Sequence, residues 1–201
     1  MSPRTKESFD AMRESTRQKI EAAALSLLAR KGLSVTVSEI ATAADISQGL
    51  LYSHYPSKDA LILELIRQAT ESSGQSIDDL SKLDLPAAEK AKQMTTVLCL
   101  MFTEASPAIY YFMFMVQVGM SGPPLSERAL YPKGLPNPTD SLAKIISQAQ
   151  QEGTGVPGDP FQLATIYWAT IHGLCCYAIT GMPVSPDPQM LNRLLLKGEV
   201  L

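Results

Sequence analysis

An all-α fold is what this 201-residue sequence predicts, and three observations predict it. Apolar residues recur at helical spacing, beginning with Ile20, Ala24, Leu27 and Leu28 on one face. No stretch alternates polar and apolar residues over a useful length, so strands are not expected. Helix boundaries are written into the chain, where Gly32, Thr36, Ser47, Pro56 and Ser57 each fall at the start or end of an apolar period.

The elements follow in order. Residues 1–12 are polar and are expected to form a disordered tail. A helix is predicted from Glu14 to Lys31, stopped by Gly32 in the left-handed conformation. Thr36-Val37-Ser38-Glu39 is a capping box, in which hydroxyl and carboxylate each satisfy an amide of the other residue. It opens a short helix from Val37 to Ala44, whose Ala41 and Ala44 let another backbone approach. Asp45 tolerates a turn conformation. Ser47 caps a helix from Gln48 to Tyr55, which Pro56 forbids to continue. Ser57 caps the next, with Leu61, Ile62, Leu65, Ile66 and Ala69 as its apolar side. Gly74 to Pro86 reads as a loop. Further helices are predicted at Ala87–Thr103, Pro107–Met120, Asp140–Glu152, Pro160–Thr180 and Asp187–Lys197. The segment "SGPPLSERALYPKGLPNP" is a long connection rich in proline and glycine.

Composition narrows the class. Apolar residues make up 45% of the chain, which suits globular modules. The net charge is −3, but it is unevenly spread. Residues 1–60 carry eight basic and seven acidic side chains, and residues 61–201 carry nine and thirteen. That asymmetry points to the front of the chain as the part that meets a polyanion. Three cysteines, Cys99, Cys175 and Cys176, are too few for a disulfide framework and favour a reduced, cytoplasmic setting. The opening "MSPRTKESFDAMRESTRQK" has no apolar core, so no signal peptide is expected. Two runs free of Asp, Glu, Lys and Arg, 105–126 and 161–182, reach bilayer length. Prolines, glycines and polar residues interrupt them and no basic flank orients them, so buried helices rather than membrane spans are expected.

Two short helices joined by a tight turn make a helix-turn-helix, whose second helix suits a DNA major groove. Leu51 and Tyr55, four residues apart, anchor that helix. Gln48, Leu50 and Ser53 point elsewhere. Tyr52, His54 and Lys58 offer donors on its flanks for phosphate oxygens.

The stretch "TVSEIATAADISQGLLYSHYPSKDAL", Thr36 to Leu61, resembles the DNA-binding segment of the TetR family of bacterial transcriptional regulators. That family characteristically reads T-x-x-x-I-A-x-x-A-G-V-S-x-G-x-L-Y-x-H-F-x-x-K-x-x-L. Asp45 stands where the family has a turn glycine, and Tyr55 where it has phenylalanine. The resemblance implies a helix-turn-helix DNA-binding domain over residues 13–57. It also implies a helical ligand-binding and dimerisation domain over residues 58–201. Gln48 and Leu50 would face base edges, with Ser53 beside them; glutamine pairs with adenine and leucine touches a thymine methyl. Thr36, Ser47, Tyr52, His54 and Lys58 would hold phosphates, Thr36 through the amide end of its helix. Arg17 would add charge nearby.

In the back half, the helix from Phe161 carries apolar residues on every face, which implies burial all round. One side would face the core and the other a second copy. Tyr167, Ile171 and Leu174, with Leu191, Leu194 and Leu195 on the last helix, are the expected homodimer contacts. Phe102, Tyr110, Phe114, Met115, Trp168 and His172 are candidate lining for a pocket. Charge is scarce around them, so the implied effector is small and apolar or aromatic. His172 and Cys175 share a helical face, but two ligands do not make a zinc site, and no metal or other cofactor is expected. No P-loop, G-x-S-x-G, H-E-x-x-H or G-x-G-x-x-G occurs, so no enzyme is expected. The sequence therefore reads as a ligand-responsive DNA-binding regulator, a repressor released from its operator by the effector. The alternative is a helical ligand carrier or protein-interaction module that does not touch DNA.

Overall fold

A computed structural model describes residues 6–72, 77–103, 106–121 and 137–198. Its elements are α1 (Lys6–Lys31), α2 (Val37–Ala43), α3 (Gln48–His54), α4 (Lys58–Ser72), α5 (Ile77–Lys82), α6 (Ala87–Cys99), a 3-10 turn (Leu100–Phe102), α7 (Ala108–Met120), α8 (Pro138–Gln151), α9 (Pro160–Ile179) and α10 (Pro188–Asn192). No strand occurs among the described residues; one isolated bridge joins Gly155 to Leu196. The fold is all-α, as the sequence predicts.

Three boundaries differ from expectation. α1 starts at Lys6, so residues 6–12 are helical rather than a disordered tail. Ala11, Met12, Arg13 and Glu14 are good helix formers, and they prolong the helix without burying anything; Phe9 and Met12 stay exposed. α5 interrupts the expected loop of residues 74–86. It is held by a Ser81 hydroxyl that donates back to the Asp78 carbonyl at 2.7 Å, a contact without periodic signal. α10 ends at Asn192, short of the expected Lys197; turns follow through Leu195, whose carbonyl accepts the Val156 amide at 3.1 Å, and Leu196 bridges to Gly155. The long connection falls mostly on residues 122–136, outside the described ones.

The chain forms two compact units. The first contains α1 to α4 and α7 from Tyr110 onward. Ile20, Ala24 and Leu28 of α1, Ile40 of α2, Leu51 of α3 and Leu61 and Leu65 of α4 make its core. Gly32 follows α1 at φ 76° and ends it, as a residue without Cβ can.

The second unit contains α5, α6, α8, α9 and α10. α9 packs along α8, α8 also takes α5 and α6, and α10 lies on α6. Asn137, Asp159 and Asp187 each precede a proline at the first helical position and accept an amide of the first turn of α8, α9 and α10. An N-cap oxygen followed by proline satisfies one orphan donor and removes another. Inside this unit, Lys90 of α6 is buried and donates to the Ser81 carbonyl at 3.1 Å and the Gln148 amide oxygen at 2.8 Å. At Gly155 a Cβ would sit 2.6 Å from the backbone nitrogen of Gln150, so only glycine fits there.

Candidate nucleic-acid interface

The helix-turn-helix is assembled by local hydrogen bonds. The capping box of α2 is complete: the Glu39 amide donates to the Thr36 hydroxyl at 3.2 Å, and the Thr36 amide donates to the Glu39 carboxylate at 2.8 Å. Three favourable contacts hold the Glu39 carboxyl down at about 2. They are the Thr36 amide, the Lys31 ammonium and the Thr36 hydroxyl, in that order. The turn passes through Asp45 at φ 55°, the left-handed region that Asp tolerates better than most residues. The Ile46 amide then returns to the Ala41 carbonyl at 3.0 Å. Ser47 caps α3 by accepting the Leu50 amide at 3.1 Å.

α3 presents two different faces. Leu51 is wholly buried and Tyr55, just past the helix end, is 7% exposed, so this side is fixed to the head. On the other side Gln48, Gly49, Leu50, Tyr52 and Ser53 are exposed. The sequence-predicted base-contact residues Gln48, Leu50 and Ser53 are all exposed. The Ser53 hydroxyl donates to the Leu50 carbonyl at 2.7 Å, which leaves its oxygen free to accept.

The predicted phosphate-holding residues divide. Ser47 and Tyr52 are exposed. His54 is half-buried, and burial first, then the charges of Arg13 and Arg17, lower its pKa. Thr36 has both its donors on Glu39: the amide, and the hydroxyl at 2.9 Å. The side chain serves the cap. Lys58 donates to the carbonyls of Leu33 at 2.8 Å and Val35 at 3.0 Å. Two of its three N–H bonds thus staple the start of α4 to the α1–α2 loop, and one remains for a phosphate.

Arg17 is committed inside the head. It bonds Glu14 at 2.8 Å and Glu21 at 2.7 Å and lies 3.5 Å from Glu64. Glu21, only 8% exposed, also accepts the Tyr55 hydroxyl. Burial and this bond push the Tyr55 phenol well above its ordinary pKa. Glu21 did not emerge from the sequence reading, although a signal exists: it lies three, four and seven residues before Ala24, Leu25 and Leu28. A carboxylate within an apolar stripe must be paired. The Tyr55 that replaces the family's phenylalanine supplies part of that pairing.

In the second unit the predicted dimer contacts require correction. Tyr167, Ile171, Leu191 and Leu195 are at most 6% exposed within one chain. Side chains sealed in their own core have no surface left for another copy. Tyr167 also spends its hydroxyl on Thr95 at 2.8 Å. Leu174 and Leu194 are half-buried. α9 is not buried all round either: Phe161, Ile166 and Tyr177 are each half or more exposed. The outward stripe of α9 runs through Ile166, Ala169, Gly173 and Tyr177, at steps of three and four.

The predicted pocket residues fall in both units. Tyr110, Phe114 and Met115 lie on the part of α7 that belongs to the first unit, and Phe102, Trp168 and His172 belong to the second. Phe114 is wholly buried. The Tyr110 hydroxyl accepts from Arg30 at 3.0 Å, with the guanidinium 5.6 Å from the ring centre. A shallow depression of about 350 Å³ opens beside the end of α9, lined by Leu174, Tyr177, Met182 and Val184 with Pro183 and Pro186. None of the six predicted residues lines it. Among the described residues no three metal-ligating side chains converge, and no helix is long and apolar enough to cross a membrane.

A short helix anchored by Leu51, with its polar N-terminal face free, defines a helix-turn-helix DNA-binding head. Residues 20–65 match the family described as bacterial regulatory proteins, tetR family. Compared by sequence with curated proteins, the chain finds no match. Solved structures agree in fold. The MbdR regulator from Azoarcus sp. CIB is 20% identical with a TM-score of 0.70, over 92% of this chain and 100% of that one. A TetR-family transcriptional regulator from Agrobacterium tumefaciens is 19% identical with a TM-score of 0.60, over 90% and 94%. AibR, solved in complex with isovaleryl coenzyme A and operator DNA, is 17% identical with a TM-score of 0.60, over 89% and 94%. Residues 20–65 thus match the DNA-binding segment of the tetR family, and the chain as a whole shares its fold with solved TetR-family regulators.

Proposed function

We propose that this chain is a ligand-responsive repressor that binds a two-fold operator as a homodimer. The observation that carries the reading is the open face of α3, where Gln48, Leu50 and Ser53 stand clear of the core that holds Leu51. Gln48 pairs with an adenine edge and Leu50 packs on a thymine methyl, while Ser53 accepts from a base amine. Ser47, Tyr52 and His54 grip phosphates on either side. They are assisted by the α2 amides behind Thr36 and the remaining N–H of Lys58. DNA reading belongs to residues 13–57, and effector binding and pairing to residues 58–201. The chain works in the cytoplasm, where its operator is, and catalyses no reaction.

The homodimer forms through the outward stripe of α9. Ile166 and Tyr177 supply apolar area, while Ala169 and Gly173 let two helices approach closely. At Gly173 a Cβ would meet nothing within 4 Å of its own chain, which leaves that place open for a neighbour. Pairing is required because two heads must enter successive major grooves about 34–36 Å apart. The effector is small and apolar or aromatic, in keeping with the scarcity of charge along α7 and α9.

A gel shift at stated salt with the DNA upstream of the chain's own gene tests the reading. Retardation that specific competitor removes is expected. Binding that any competitor DNA removes equally well would reduce the head to a non-specific cation.

A further inference from the structure

Within the first unit, polar contacts run unbroken from α7 to the recognition helix. The Tyr111 hydroxyl donates to the Gln68 side-chain oxygen on α4 at 2.9 Å. Gln68 donates to Glu64 at 2.9 Å. Glu64 lies 3.5 Å from the Arg17 guanidinium of α1, which bonds Glu21 at 2.7 Å. Glu21 accepts the hydroxyl of Tyr55, the C-cap of α3. Four helices are joined in series, and no member of the series lies on the open face of α3.

The chemistry makes this more than a set of surface ion pairs. Glu21 is a nearly buried carboxylate, held by two partners, the Arg17 guanidinium and the Tyr55 hydroxyl, and removing one partner of a buried pair is costly. One guanidinium serves both Glu21 and Glu64, so a shift of Glu64 redirects the charge that Glu21 depends on. Tyr55 ends α3, so its hydroxyl fixes where that helix stops and how it is turned on the core. α7 meets the head at other points as well. Arg30 holds Tyr110, and a Cβ on Gly32 would lie 3.1 Å from the Gln117 side-chain oxygen.

We propose that Tyr111, Gln68, Glu64, Arg17 and Glu21 are positioning residues through which α7 sets the seating of the recognition helix. The inference rests on the DNA-binding reading for its readout in affinity, but not for its readout in structure. Its material basis is the shared guanidinium: α7 restrains Gln68 and Glu64, and these leave Arg17 directed at Glu21 and Tyr55.

The test uses the full chain and conservative variants that delete single oxygens. Y111F and Y55F are each expected to weaken operator binding by about 3- to 30-fold. The salt slope should stay unchanged, because no phosphate contact is lost. The double variant should bind no worse than the weaker single variant. T96V removes an exposed hydroxyl of α6 that bonds only its own helix, outside the series, and should leave affinity unchanged. Hydrogen exchange supplies the second readout. Y111F should speed exchange of the amides of Leu51 to Tyr55 while leaving those of α2 unaltered. Additive losses in the double variant, or unaltered exchange at Leu51 to Tyr55, would overturn the proposal. Should the unmodified chain ignore DNA, the functional reading fails, and exchange alone decides the inference.

Discussion

α3 and α9 are built alike and differ in what they leave outside. Each buries one stripe: Leu51 in α3, and Ala164, Tyr167, Ile171 and Cys175 in α9. Outside, α3 shows Gln48, Leu50, Tyr52 and Ser53, whereas α9 shows Phe161, Ile166 and Tyr177 with small residues between. The first face carries oriented donors and acceptors with one methyl-bearing group, which suits base edges. The second is apolar area that water solvates poorly, which suits another protein surface. Exposure alone therefore does not distinguish the two helices; the chemistry of the exposed stripe does.

The comparison breaks first at α9. Replacing Ile166 and Tyr177 together by glutamate should yield a monomer in sedimentation and cost about 10²–10⁴-fold in operator affinity through lost bivalency. Tyr167→Phe on the opposite face should cost about 1 kcal/mol of stability through the Thr95 bond and leave pairing intact. If Tyr167→Phe dissociates the protein and the glutamates do not, the two faces have been assigned in reverse. Thiol labelling sharpens the point. Burial pushes the Cys175 thiol up to about 12, so it stays silent at pH 8. Exposed Cys176 should label quickly in the glutamate variant and slowly in the unaltered dimer.

On α3 the effects are smaller and differ in kind. Gln48→Ala should remove about 1–3 kcal/mol of discrimination at one base pair, read as relaxed preference across operator variants. Tyr52→Phe should weaken all sequences alike. Lys58→Ala should lower the denaturation midpoint more than it changes the salt slope, since two of its bonds go to Leu33 and Val35. A slope reduced by about one unit would instead make phosphate contact, through its remaining N–H, the main role of Lys58.

The head was largely legible because its signals are local. A capping box, a turn residue at positive φ and a proline stop need only neighbours in sequence, and Thr36, Asp45 and Pro56 announced them. What failed was non-local. Periodicity identified the apolar stripes of α9 but could not tell which stripe meets the chain's own core. Packing on α8 decided that against Tyr167 and Ile171. Glu21 was missed for a similar reason: Tyr55, whose hydroxyl it accepts, lies 34 residues away. α5 was missed because six residues, under two turns of helix, have almost no period to detect.

The smallest predicted effect separates the two helices of the motif by their caps. Glu39 titrates in the cap of α2, and Ser47 in the cap of α3 carries no titrating group. The Glu39 carboxyl is held at about 2 in the folded chain, below the ordinary carboxylate range. A group whose folded pKa is depressed stabilises above the unfolded value and loses that contribution as pH falls through the folded one. Glu39→Gln should therefore lower the urea midpoint at pH 7. The difference should shrink between pH 4.5 and pH 2 as the unmodified carboxyl takes up its proton. Ser47→Ala should cost about 1 kcal/mol at either pH. Equal pH dependence in the two variants would mean that acid acts on the head elsewhere than at the α2 cap, with the carboxylates around Arg17 the next place to look.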